Sequence, residues 1–540
     1  MTFEAGKRFA RWTILLTALE TLIVFGLLLF SLIVISSLGV ENYGIFGAAS
    51  VINLLGMTFL SSFLLEPSTK LISSLYGKKD FDSLSKAIGA IIAFLFIFSL
   101  LFVVVYLIIT PFIATQVYNR PYLIEYMVLL FPRLIINPYN FLFRRLLRSL
   151  NSYGKVTVGR VFDGPTYIIS VLSMVFIDGW TVRALVLGNV IHTCISMIIL
   201  FVLTYTELRK QKIPILVNIK KNYLLELTSL GKYYLVSDSF YSFLGKLDEL
   251  VIPIFVSDTL IGYYYFAKNL LLRFRSLFDI MRGLLYPTFS ELLEISGPES
   301  VKKFLSKGID FSLFYVFMFT QFIFFFPKEI ILVVSTVLVD ISDYLPAAPI
   351  LAIFSFLLIA EGLRSVLNAY YSGLAKVSVI LKANSIGLMT GILLIVPFTL
   401  IFNIYGAAFV NILAYFSIVG YYLYVTHKKE TPISKGKILL RICGSLLVAG
   451  SIRLFYEIMV YFGILSANMD NLLSIFIFTF IGLLYIFLDF VLMSLMNVLT
   501  YEEILLMERI AGSNKVTSKV ANIIKWFYKL LNRTEKRLNL

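Results

Sequence analysis

Apolar runs of 20 or more residues recur along almost the whole chain, separated by short polar hinges. At 1.5 Å per residue such a run spans about 30 Å, the thickness of a bilayer's hydrocarbon core. In lipid the backbone must satisfy its own hydrogen bonds, and a run this long does so as a helix. Fourteen segments reach the length: 13–36, 44–65, 87–112, 123–143, 156–177, 183–206, 231–256, 260–286, 309–335, 346–371, 379–402, 405–426, 438–462 and 471–496. The ninth is the weakest, because Phe326-Pro327-Lys328-Glu329 interrupts it.

Composition points the same way. Apolar residues make up 59% and charged residues 15%, against roughly 45–50% and 25% in soluble domains. Cys194 and Cys443, the two cysteines, both fall inside apolar runs, which excludes a disulfide framework and a cysteine-rich zinc site. His192 and His427 are isolated, so no metal centre and no cofactor is expected. The expected fold is all-α: a polytopic membrane protein of about 14 transmembrane helices.

The net charge is +15, and it sits mostly in loops. With the N-terminus placed inside, the inner segments hold about 35 of the 47 Lys and Arg residues. They include Lys70, Lys78, Lys79, Lys86, Arg144, Arg145, Arg148, Lys155, Lys302, Lys303, Lys307, Lys428, Lys429, Lys435 and Lys437. The outer loops hold Arg120 and Arg183, with Glu41, Asp178, Asp258, Asp340, Asp343 and Asp470. This asymmetry predicts both termini in the cytoplasm of a multi-pass cell-membrane protein, with anionic lipids as partners. No nucleic-acid motif accompanies the charge, so no nucleic acid is expected. Lys7, Arg8 and Arg11 precede the first run without a small-residue cleavage site, which reads as an anchor. Residues 515–538 read as a basic amphipathic helix on the cytoplasmic leaflet; a docking helix for another protein is the alternative.

Three short matches recur at nearly one offset. Leu38-Gly39-Val40-Glu41-Asn42-Tyr43-Gly44 answers to Val256-Ser257-Asp258-Thr259-Leu260-Ile261-Gly262, with the glycines 218 positions apart. Glu66-Pro67-Ser68 answers to Tyr286-Pro287-Thr288, and Lys155-Val156-Thr157-Val158 to Lys376-Val377-Ser378-Val379. The unit is then six spans, and two such units enter the membrane in the same sense. The expected organisation is an N-terminal six-helix lobe (1–206), a cytoplasmic linker (207–230), a second six-helix lobe (231–427), two further helices (428–500) and a basic tail (501–540).

Charges inside the spans cost about 2.5–3.5 kcal/mol each on insertion scales, so they should pair or face a wet cavity. Span 8 carries Lys268, Arg275, Asp279 and Arg282 within about 60° of arc, with Tyr264 and Tyr286 on the same stripe. Lys268, Arg275, Arg282 and Tyr264 are the candidate substrate contacts, since a cationic stripe suits an anionic head group and arginine matches phosphate oxygens. Asp238, Glu249, Lys246, Asp279 and Glu20 are candidates for ion coupling or charge pairing. Glu249 and Lys268 lie at equal depth and are expected to approach each other. Arg160–Asp163, Glu361–Arg364 and Arg453–Glu457 stand at spacings that allow pairs within a helix. Arg133 and Asp489 are further charges inside spans. The plainer reading of all these groups is structural pairing between helices, with Lys and Arg snorkelling at span ends; it carries most weight at Arg282, Lys328, Arg453 and Glu457.

The chain resembles the polysaccharide and oligosaccharide-lipid flippases of the multidrug/oligosaccharidyl-lipid/polysaccharide exporter superfamily. The resemblance is carried by Leu38-Gly39 with Tyr43-Gly44-Ile45-Phe46, by Lys246-Leu247-Asp248-Glu249-Leu250-Val251-Ile252, by Ile261-Gly262-Tyr263-Tyr264-Tyr265-Phe266-Ala267, by Pro287-Thr288-Phe289-Ser290 and by Tyr405-Gly406-Ala407-Ala408. It implies two six-helix lobes plus two C-terminal helices, and alternating access for a lipid-linked sugar whose head occupies a cationic cavity. In that family basic cavity residues hold the pyrophosphate, a role Lys268 and Arg275 could fill here. Span 1 departs from the pattern: it has Glu20 and no mid-membrane arginine.

The first function is therefore translocation of a lipid-linked oligosaccharide or polysaccharide precursor to the outer leaflet, by a non-enzymatic monomer. Glycosyltransferases of the same pathway are the protein partners expected. A multidrug cation antiporter of the same superfamily is the second reading; fourteen spans and a cationic span 8 argue against it. A membrane glycosyltransferase or polymerase is the third, and the short outer loops leave no place for its catalytic acids.

Overall fold

The computed structural model describes residues 23, 26–150, 152–214, 221–374, 376–429, 435–466 and 472–495, and among them no strand occurs. Glu20 and the tail helix expected over 515–538 lie outside the described residues. The helices in chain order are α1 (Gly26–Leu38), α2 (Val40–Gly77), α3 (Phe81–Phe112, running into one wider turn at Ile113–Val117), α4 (Leu123–Leu129), α5 (Pro132–Ser149), α6 (Tyr153–Asp178) and α7 (Val182–Lys210). Then follow α8 (Lys221–Phe255), α9 (Asp258–Phe325), α10 (Pro327–Val337), α11 (Ala348–Gly373), α12 (Val377–Lys429), α13 (Lys435–Tyr461) and α14 (Leu472–Leu495).

Local chemistry sets the breaks. Asp80 caps α3 by accepting from the Ser83 amide at 3.1 Å, and Thr181 caps α7 by accepting from the Ala184 amide at 3.1 Å. Two long helices are broken once inside. In α9 Gly297 takes φ 74°, and in α12 Asn403 takes φ 58°. Both residue types tolerate the left-handed region. Asn403 also accepts from the Ile404 amide at 2.9 Å. The next turn is so tight that a Cβ on Gly406 would overlap the Phe398 carbonyl, which explains the glycine of the Tyr405-Gly406 motif.

Seven described helices are long and apolar enough to cross a membrane, or eight if the pair Val316–Phe325 and Pro327–Val337, bent by 80°, forms one span. Their outward faces are those of a lipid-facing protein: Phe176 is 93% exposed and Leu393 73%. The chain is a polytopic helical membrane protein. The interruption at Phe326-Pro327 is real; Pro327 opens α10 as its first residue.

The chain divides into two compact units, Met1–Tyr265 with Ile392–Ala407, and Phe266–Gly391 with Ala408–Leu540. In the first, α6 and α7 form a close hairpin: Gly188 lets α7 approach the Val171 backbone. α2 packs along α8, and α5 lies against α2, α3 and α7. At its crossing with α9, a Cβ on Gly44 would overlap the Asp258 carbonyl, and a Cβ on Gly262 would overlap the Val40 carbonyl. Each glycine thus rests on the carbonyl four residues before the other, a reciprocal contact between the two positions matched in sequence. In the second unit, Met318 of α9, Phe326 at the break after it, Tyr456 of α13, and Phe478, Ile481 and Tyr485 of α14 share one buried, largely aromatic cluster.

Candidate functional site

The hairpin joining α8 to α9 concentrates polar groups. Asp248 is 1% exposed and Glu249 2%. Lys246, one turn earlier on α8, donates to both Glu249 oxygens at 2.8 Å. The Tyr264 hydroxyl donates to Asp248 from the first turns of α9. Tyr265 is also buried, with its ring seated where Gly47 of α2 leaves out a Cβ. The hairpin tip is held from the loop after α3. Arg120 donates to the Pro253 carbonyl at 2.8 Å and to the Val256 carbonyl, and its Nε lies 3.3 Å from Asp258. Tyr118 donates to the Leu250 carbonyl at 3.1 Å, and Tyr122 donates to Asp258. The last carbonyls of a helix have no partner of their own, and a cation at that end is favoured by the helix dipole. Arg120 supplies both.

A second polar region fills the interior of the first unit. Arg144 of α5 pairs with Asp163 of α6 at 2.6 Å, and the Ser196 hydroxyl of α7 donates to the same carboxylate oxygen at 3.0 Å. His192 lies 3.2 Å from the Thr166 hydroxyl and meets the Tyr167 ring edge-on. Arg160 and His192 both feel the Asp163 charge. Arg133, at the start of α5, lies near Tyr106 and Tyr167. Its Nε is buried without a hydrogen bond, and among the described residues no carboxylate pairs with it. Asp163 thus balances Arg144 across α5 and α6, while Arg133, eleven residues earlier on α5, has no carboxylate of its own among the described residues.

Lys268 is 4% exposed on α9. Arg275, Asp279 and Arg282 lie further along the same helix, and Asp238 on α8, but their side chains fall outside the described residues. Glu249 is engaged by Lys246, its neighbour in sequence, so the expected approach of Glu249 to Lys268 is not needed to neutralise it. Glu361 and Arg364 pair within α11 at 2.7 Å, both buried, and Arg453 pairs with Glu457. Asp163 turns instead to Arg144 on the neighbouring helix.

The arginine-rich interior of the first unit was absent from the candidates drawn from sequence, although a signal existed. Arg133, Asn137, Asn140 and Arg144 recur at steps of four, three and four residues, a polar stripe along one face of α5.

The sequence profile of the polysaccharide biosynthesis protein family matches residues 38–338, more than half of the chain. No curated protein sequence matches. Among solved structures, the lipid II flippase MurJ in an inward closed conformation aligns with a TM-score of 0.69 at 16% identity, covering 89% of this chain and 98% of that one. An inward-facing multidrug resistance MATE family transporter of the MOP superfamily aligns at 0.53, with 16% identity and coverage of 76% and 94%. The bent form of the Vibrio cholerae MATE transporter VcmN aligns at 0.51, with 14% identity and coverage of 78% and 98%. At these identities the likeness establishes the fold, that of the MOP-superfamily transporters. Together the profile match and the fold place the chain in the polysaccharide biosynthesis protein family.

Proposed function

We propose that this transporter carries a lipid-linked oligosaccharide or polysaccharide precursor from the cytoplasmic to the outer leaflet by alternating access. The observation that carries the reading is Arg133 of α5, whose Nε is buried without a hydrogen bond and with which no carboxylate pairs among the described residues. An uncompensated guanidinium in hydrocarbon is costly, and a diphosphate head would supply the missing acceptors in paired geometry. Lys268 and Arg275 on α9 are the proposed further contacts, with Arg282 and Tyr264 on the same stripe. Asp238, Glu249, Lys246, Asp279 and Glu20 are proposed as the balancing or ion-carrying set. The lobes 1–206 and 231–427, the cytoplasmic termini, the cell-membrane location and the lipid-bound tail belong to the same proposal.

The test is movement of a lipid-pyrophosphate sugar in reconstituted vesicles. A hydrogen bond to a charged group contributes about 1.5–3 kcal/mol, so Lys268→Ala, Arg275→Ala and Arg133→Gln should each slow transport roughly 10- to 100-fold with insertion intact. Unchanged rates in all three would remove the proposed site. Export of lipophilic cations, with no movement of the sugar lipid, would favour the multidrug reading.

A further inference from the structure

The helix pair α13–α14 lies outside the twelve-span repeat, yet it contains a charge-bearing group with no evident task. Asp489 on α14 is 0% exposed. Neither of its carboxyl oxygens makes a hydrogen bond, and among the described residues no cation pairs with it. The Ser445 hydroxyl of α13 stands beside it. Ser445 is itself 1% exposed, and its oxygen also lacks a hydrogen bond. Tyr485, one turn earlier on α14, is the neighbouring titratable group. Its hydroxyl is committed elsewhere, donating to the Met318 carbonyl of α9 at 3.1 Å.

Three oxygens are thus gathered in a dry place, the hydroxyl facing the carboxylate, with no cation among the described residues to neutralise it. A buried carboxylate without a partner is among the costliest arrangements a protein can hold, and protein interiors pair such groups or bind an ion to them. Inside a membrane the cost is not relieved by water. The α14 segment tolerates it in a setting of otherwise apolar residues: Ile475, Phe478 and Ile481 are all buried in the same packing. One carboxylate and one hydroxyl match a single positive charge; a divalent ion would remain under-neutralised.

We infer that Asp489 and Ser445 form a binding site for one monovalent cation, a proton or a sodium ion, within the α13–α14 pair. The bound cation neutralises the carboxylate and lets the two helices pack without an exposed charge between them. The inference rests on orphaned oxygens alone and is independent of the substrate proposed above.

The test uses the full-length protein in lipid nanodiscs and the apolar reagent dicyclohexylcarbodiimide, which reacts with a carboxyl that carries its proton. The Asp489 peptide is then read by mass spectrometry, and thermal unfolding is followed in parallel. If the site holds a proton, Asp489 is labelled, labelling falls as pH rises, and sodium chloride protects no better than choline chloride. If it holds sodium, labelling is suppressed by sodium chloride and not by choline chloride, and sodium raises the unfolding temperature. Asp489→Asn should lose both the label and the pH or sodium response, and Ser445→Ala should weaken the response. Absence of labelling at every pH, together with unfolding indifferent to pH and sodium, would overturn the inference. Wild-type labelling decides the matter even where Asp489→Asn fails to fold.

Discussion

At the scale of single residues, the most informative side chain is Arg453. Its Nη1 donates to the Phe325 carbonyl at 3.0 Å and to Glu329 at 2.6 Å, and its other amino group pairs with Glu457. The plane stacks on Phe326 and Tyr456 at 5.3 Å. The chain breaks at Phe326, so the carbonyl of Phe325 loses the amide that a continuous helix would offer it. Arg453 fills that vacancy and neutralises a glutamate that is 4% exposed. Removing one member of such a set leaves the others buried and unsatisfied, which costs about 3–5 kcal/mol. Arg453→Met should therefore lower the unfolding midpoint in detergent far more than Glu329→Gln, whose amide still offers an oxygen to the guanidinium. Equal losses in the two variants would mean that the arginine acts only as a counter-charge. The contact was half legible in sequence. Arg453 and Glu457 stand one helical turn apart, and that pairing could be read. The partnership with Glu329 depends on how α13 lies against the kink, which no spacing encodes.

At the scale of elements, hydropathy located the helices better than it located their ends. The apolar runs 44–65 and 260–286 stop near Pro67 and Pro287, and both prolines looked like span ends. In the structure both helices continue, α2 to Gly77 and α9 to the break at Gly297. Hydropathy reports where lipid ends, and a helix can run on into water once its backbone bonds are formed. Each helix runs on ten residues past its proline. The reciprocal glycines offer a sharper test. A methyl at Gly44 or Gly262 would meet backbone, which cannot yield as a side chain can, whereas one at Gly77 meets nothing within 4 Å. Overpacking of this kind costs about 1–3 kcal/mol. Gly44→Ala and Gly262→Ala should each destabilise the protein by that amount, and the double variant by less than the sum, because both act on one crossing. Gly77→Ala should be neutral. Full additivity would show that the two positions do not share a contact. The arginine stripe of α5 is the complementary lesson. Its period was visible in sequence, but only the packing of α6 and α7 shows that the stripe faces protein and brings Asp163 to Arg144.

At the scale of the whole molecule, orientation turns on the path of the ninth apolar segment, since every later span inherits it. Past the basic stretch Lys302–Lys307, α9 continues over residues 309–325, about 17 residues or roughly 25 Å, the short end of what crosses a bilayer. Because α10 is bent from it by 80°, a crossing α9 would leave α10 nearly parallel to the membrane surface. Its Pro327-Lys328-Glu329 start and the acidic loop with Asp340 and Asp343 would then lie on the outer side. The alternative is a segment that enters and returns on the same side, which would reverse all that follows. Single cysteines distinguish the two in a Cys194→Ser, Cys443→Ser background. The probe positions Lys78, Arg183, Lys212 and Asp343 are all exposed. The charge asymmetry of the loops predicts that a membrane-impermeant maleimide applied to intact cells labels Arg183→Cys and Asp343→Cys. Lys78→Cys and Lys212→Cys should react only after permeabilisation. Labelling of Arg183→Cys with protection of Asp343→Cys would show that α9 and α10 form a re-entrant pair, and would place the C-terminal helices the other way round.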